Sequence, residues 1–159
     1  MHDGIPALKR REYALGYLSL GMTDEALAEI ALLSAEDRDA AETMAILIDI
    51  HMARDDWVRT VDMAREYAAR RPKEEKGWIS WAYALREMDK VKEAREVLLR
   101  AEPFHGRTCG LLQYNLACYF FLLGEKTEAR RRLKAAIMID PSLAADAIRD
   151  PDLKGIAAE

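Results

Sequence analysis

The sequence predicts an all-α fold of four successive antiparallel helix pairs followed by a C-terminal capping helix. Three observations predict it. Ala, Leu, Glu and Arg are abundant, while Gly and Pro number only 8 and 5 in 159 residues, a composition that favours helix. Segments starting at Ala7, Ala41, Glu75 and Gly110 align at spacings of 34, 34 and 35 residues. Small, bulky and turn-forming residues recur at the same offsets in each segment.

The columns justify the elements in order. First helices are expected at about 7–20, 40–53, 75–88 and 108–123. A bulky column, Tyr13, Leu47, Trp81 and Leu116, is followed by a mostly small one, Ala14, Ile48, Ala82 and Ala117. Small residues are needed where two helices cross closely. A further column, Tyr17, His51, Leu85 and Phe120, precedes the turn. Gly21, Asp55, Asp89 and Gly124 then end each first helix, since Gly and Asp tolerate turn conformations. Second helices are expected at about 23–34, 56–70, 91–101 and 126–138, with Asp24, Asp56 and Thr127 as starting residues. They carry the small column Ala26, Thr60, Ala94 and Ala129, then apolar columns through Ile30, Leu98 and Leu133. The units close at Arg38, Pro72, Gly106 and Pro141, where proline cannot continue a helix. In the tail, Leu143, Ala144, Ala147 and Ile148 form one apolar face, and Pro151, Leu153 and Ile156 can fold back over the last pair. A repeat stack requires such a cap.

These columns resemble the tetratricopeptide-repeat (TPR) family, most fully in the last unit through Leu116, Ala117, Phe120, Gly124, Ala129, Leu133, Ala136 and Pro141. Thr60 and His51 depart from it, standing where the family prefers alanine and an aromatic. The resemblance implies one right-handed α-solenoid over residues 1–159, with repeats at about 7–40, 41–74, 75–109 and 110–143 and a cap at 144–159. The stretch Tyr114 to Tyr119, with Asp150-Pro151-Asp152-Leu153 behind it, looks like the closing unit of bacterial TPR proteins.

Composition argues against several function classes. A net charge of −4 gives no general attraction to nucleic acid or anionic lipid. The charge is uneven, however. Residues 1–75 carry 16 acidic and 10 basic side chains, a net of −6, and the remainder 12 and 14, a net of +2. No apolar run approaches the ~20 residues that span a bilayer. Met1 to Leu8 lack the features of a signal peptide, so a cytoplasmic protein is expected. Cys109 and Cys118 are expected in one helix about 13 Å apart at ~1.5 Å per residue, too far to bridge.

Catalytic and metal motifs are missing. His2, His51 and His105 are scattered, with His105 expected in a turn and His51 as a hydrogen-bonded packing residue. No ligand spacing for a metal, no phosphate-cradling loop and no serine-hydrolase elbow occurs. Cys118 has no cation or base within one helical turn to make it reactive. Arg130-Arg131-Arg132 is expected to be solvated, and Trp78 half exposed. A non-catalytic protein without cofactor or metal follows.

In the TPR family the first helix of each pair lines the concave face. By register, the resemblance implies a protein-binding groove of Arg11, Leu15 and Leu18 in the first unit, and Asp49 and Met52 in the second. The third unit supplies Lys76, Ile79, Tyr83 and Arg86, and the fourth Tyr114, Asn115 and Phe121. Leu8, Ala45, Leu111 and Cys118 share the stripe. Its apolar content suits an amphipathic helix or extended peptide of another protein. Arg11, Lys76 and Arg86 are expected to hold an acidic side chain, and Asn115 a peptide backbone. Leu15 and Ile46 stand where the family's carboxylate clamp needs asparagine. The expected role is an adaptor or scaffold. The alternatives are a self-associating structural module (a homo-oligomer) or a small chaperone, and the groove can instead be covered by the chain's own tail or by a second copy.

Overall fold

A computed structural model describes residues 4–156, and His2 and the end of the expected cap, 157–159, lie outside them. Every regular element among the described residues is helical. The four pairs are α1 (Ala7–Ser19) with α2 (Thr23–Ala31), α4 (Ala41–Ala53) with α5 (Trp57–Arg70), α6 (Glu75–Glu87) with α7 (Val91–His105), and α8 (Gly110–Leu122) with α9 (Lys126–Ile139). A short helix α3 (Ala35–Asp39) joins the first two pairs. Helix α10 (Leu143–Arg149) and a 3-10 turn, Pro151–Leu153, follow the last pair.

The turn column has one backbone conformation throughout. Gly21, Asp55, Asp89 and Gly124 all have positive φ, at 74°, 55°, 62° and 84°. This left-handed residue lets the chain bond back onto the helix it leaves. The next amide donates to the column before the turn in every pair: Met22 to Tyr17 O, Asp56 to His51 O, Lys90 to Leu85 O and Glu125 to Phe120 O, at 2.8–2.9 Å. Asp serves in two of the turns because its short side chain tolerates this region better than most.

The small columns mark the helix crossings. Ala14, Ala82 and Ala117 in the first helices are completely buried, as are Ala26, Ala94 and Ala129 in the second. Ile48 and Thr60 occupy the same columns in the second pair and are equally buried. The Thr60 hydroxyl donates to Asp56 O at 2.9 Å, so its polar group is satisfied within its own helix. The apolar core runs along the stack in three clusters. Ala14, Ile30 and Ile50 belong to the first, Ile48, Ala64 and Tyr67 to the second, and Trp78, Leu98, Leu116 and Leu153 to the third.

Several local expectations are corrected. Helix α2 ends early, and the Arg38 closing position lies inside α3. Ser34 caps that helix, accepting from Asp37 N at 3.0 Å while its hydroxyl donates to the Asp37 carboxylate. Helix α7 continues through Pro103 to His105, so His105 is helical rather than in a turn. Its buried ring meets Pro72 O at 3.0 Å, which anchors the extra turn of helix. Among the expected starting residues only Asp56 accepts a capping bond, from Arg59 N at 3.4 Å. Trp78 is buried, stacked between Trp81 and Phe104, with its indole N–H donating to Pro72 O.

The arginine run is also reassigned. Arg131 is exposed and pairs with Glu128, but Arg132 is buried. Its guanidinium bonds Glu102, Glu128 and the Gln113 side chain over the Phe120 ring. Arg130 Nε donates to Ile156 O at 2.9 Å and ties the tail to α9.

His51 is buried as expected, but its Nδ1 has no hydrogen-bond partner, and the Asp56 carboxylate stays 3.6 Å away. Desolvation holds the ring's pKa below its usual value despite Asp56, with Arg59 and Arg54 adding to the effect. The unfolded chain therefore takes up a proton first as pH falls through about 6.5. Stability is full above that pH and declines below it. In urea melts at pH 7 and pH 5, His51→Phe is expected to lose less stability than the wild type on acidification. An unchanged difference would remove His51 as the cause.

Candidate binding face of the first helices

The first helices form a row, since α1 touches α4, α4 touches α6 and α6 touches α8. Cross-links between neighbours hold the row. Arg11 Nε on α1 donates to Thr43 Oγ1 on α4 at 2.8 Å, and its Nη2 to Asp37 O at 3.3 Å. Lys76 on α6 meets Asp49 on α4 at 2.5 Å. Trp57 at the start of α5 packs its ring edge against Tyr83, with centroids 5.9 Å apart.

The expected site residues separate into two groups. Towards the N-terminal end, Leu15 and Tyr83 are exposed at 47% and 40%, and Leu18, Met52 and Ile79 are half-buried beside the core. These side chains keep an apolar surface facing outward. At the other end the face is covered. Tyr114 is buried, and its hydroxyl donates to Asp150 Oδ2 at 2.7 Å. Arg86 makes a fork with Asp152, Nε to Oδ2 at 2.9 Å and Nη2 to Oδ1 at 2.6 Å. The tail thus fills the groove over α6 and α8. Asn115 lines a cavity of about 290 Å³ left between Tyr83, Arg86, Cys118, Asp150 and Asp152. Phe121 is half-buried against the core of the last pair.

Each of the three cations expected to receive an acidic ligand already has an acidic partner within the chain. Arg11 lies 3.7 Å from Asp37, Lys76 pairs with Asp49, and Arg86 with Asp152. Sequence reasoning assigned Asp150 and Asp152 to the closing unit without this contact. The signal available was Asp150-Pro151, which starts the 3-10 turn: Asp150 Oδ1 accepts from Asp152 N at 2.9 Å.

Cys118 is buried, and its thiol pKa is pushed up by burial first and then by Asp150, which makes it a poor nucleophile. Cys109 is also a free buried thiol, and its sulfur accepts from Leu112 N at the start of α8. Among the described residues no group of three or more His, Cys, Asp or Glu side chains can hold a metal. No helix among them is long and apolar enough to cross a membrane.

No family model matches the sequence. No curated protein matches it either. Solved structures do. MamA of MSR-1 superposes with a TM-score of 0.72 at 16% identity, covering 89% of this chain and 81% of its own. TTC0263, a thermophilic TPR protein of Thermus thermophilus, superposes with a TM-score of 0.72 at 19% identity, covering 96% and 87%. The fold is that of a tetratricopeptide-repeat protein. A structure of MamA from AMB-1 gives a TM-score of 0.70 at 16% identity, over 88% and 82% of the two chains. In this TPR fold, low identity and close superposition go together because the columns constrain shape with few residue types.

Proposed function

We propose that the chain is a single non-catalytic solenoid whose first-helix face, from α1 to α6, takes up the apolar side of a partner segment, such as an amphipathic helix. One observation carries this reading. Leu15 and Tyr83 stay exposed along a row in which Leu18, Met52 and Ile79 are half-buried, while every expected cation on the face is internally paired. A face with matched charges and exposed apolar side chains gains most from burying those side chains, at roughly 25 cal/mol per Å² removed from water. The partner therefore supplies leucine-like anchors rather than a carboxylate. The two buried free thiols suit a reducing compartment, and a cytoplasmic setting belongs to this reading.

The test places a photo-crosslinking residue at position 15 or 83, and as a control at Val58, an exposed position on the second helix α5. Protein adducts are expected from positions 15 and 83, and Met52→Glu should reduce them at least tenfold with helicity unchanged. Adducts of equal yield from position 58, or none from the face, would overturn the assignment.

A further inference from the structure

Granted the first-helix face as the site of uptake, we propose that the partner segment carries a basic side chain, arginine or lysine, at the end that lies against the docked tail. The hollow beside Tyr83 receives it.

Charge is distributed unevenly along the face. Towards α1 and α4 the cations are matched, Arg11 by Asp37 and Lys76 by Asp49. At the tail end the only basic side chain lining the hollow is Arg86, and Asp152 takes both of its bonding edges. Glu87 and Asp150 line the same hollow, and Asp55 lies near enough to act on the Tyr83 hydroxyl. Among the described residues none of Asp55, Glu87 and Asp150 forms an ion pair with a basic side chain. Asp150 is held by neutral donors alone, the Tyr114 hydroxyl, the Cys118 thiol and the Asp152 amide. Arg86 with Asp55, Glu87, Asp150 and Asp152 therefore leaves a net of −3 around Tyr83, after the internal pair is counted.

The hollow has the other features that a cation needs. It holds about 290 Å³ and opens beside Tyr83, which is 40% exposed. Tyr83 and Trp57, edge to face at 5.9 Å, supply aromatic rings, whose faces attract a cation. The half-buried Asn115 amide lines the hollow and makes no side-chain hydrogen bond among the described residues, nor does the Tyr83 hydroxyl. Both keep an oxygen acceptor free. Arginine and lysine present only donors, so they match acceptors and carboxylates together. Burial first, and then Glu87, Asp55 and Asp152 against Arg86, push the Tyr83 hydroxyl pKa up, which keeps it neutral beside them. The apolar stem of a long basic side chain continues the row of leucine-like anchors while its head reaches the carboxylates. An acidic end in the same place meets like charge, so the hollow also sets which way round the partner lies.

Three synthetic peptides test this against the full chain. Each is an amphipathic helix of about 12 residues with a leucine face. Arginine, norleucine or glutamate stands at both ends, so that either direction is sampled. By fluorescence anisotropy at roughly 20 mM salt, the arginine peptide is expected to bind about tenfold more tightly than the norleucine peptide, and the glutamate peptide more weakly than either. Asp55→Asn with Glu87→Gln should bring arginine and norleucine to within about twofold. Both sites are exposed, and asparagine tolerates the positive φ of position 55, so helicity should hold. Glu93→Gln with Glu96→Gln removes the same charge from exposed positions on α7 and should keep the tenfold preference. Met52→Glu should weaken the norleucine peptide, which reads the apolar face alone. Equal affinities for arginine and norleucine, a preference that survives at positions 55 and 87, or one lost equally at 93 and 96 would overturn the cation hollow and leave the face standing. Failure of all three peptides to bind, or norleucine binding indifferent to Met52→Glu, would overturn the face and the hollow with it.

Discussion

Gly77→Val is expected to lower the unfolding midpoint by about 6–12 °C, from a loss of about 3 kcal/mol at ~2–4 °C per kcal/mol for a chain of this size. Helix α6 meets α5 closely at this glycine. A Cβ there would lie 2.6 Å from Ala68 N and 2.9 Å from Ala68 Cα. Those are backbone atoms of a helix, so the clash cannot be relieved by turning a side chain. The two helices must separate, which opens the junction between the second and third pairs. Gly77→Ala makes the stricter comparison. Alanine gains roughly 1 kcal/mol of helix propensity over glycine, yet it is still expected to destabilise because its Cβ meets the same atoms. Thermal melts by circular dichroism decide the matter, and an alanine variant as stable as the wild type would show that the helices yield without cost.

Arg132→Ala is expected to cost about 3 kcal/mol in urea melts, the lower end of what breaking a buried ion pair costs. The side chain of Arg132 is 8% exposed and that of Glu102 is 34%, so water can reach the abandoned carboxylate in part. The loss includes the bonds to Glu128 and Gln113 and the packing on Phe120. Arg131→Ala is the control. Its side chain is 64% exposed and pairs with Glu128 in the first turns of the same helix, so its removal should cost about 0.5 kcal/mol or less. Equal effects from the two neighbours would deny the interior role of Arg132.

Where a residue's role depends on its own repeat, it was legible in the sequence. Gly21, Asp55, Asp89 and Gly124 share an offset because each must take a positive φ at the same point of a hairpin. Ala14 and Ala26 share the logic of close approach with their counterparts. The residues of the proposed face can be read from the sequence only by register. Arg86 reads in the sequence as a cation for a partner's acidic group, but the carboxylate it holds in the structure is Asp152, 66 residues away in a tail that belongs to no column. Arg132 was misjudged for a related reason. Its partner Glu102 sits 30 residues upstream on α7, and three consecutive arginines do not show which one turns inward. Helix α3 was missed because Ser34 and Asp37 form a local cap inside a segment that the other units use as a plain turn.

The docking of Asp150 and Asp152 onto Tyr114 and Arg86 has a consequence for the size of whatever the open face receives. It acts as a bookend. With α8 behind it, α1, α4 and the part of α6 that the tail leaves uncovered offer accessible width. Neighbouring helix axes lie about 8–10 Å apart, so the shelf measures roughly 16–20 Å from first axis to last. At about 1.5 Å per residue this holds some 11–13 residues of a helix, three turns and a little more. On the proposed reading, a helical guest that crosses all three meets the docked tail at one end, which sets where its last apolar anchor can sit.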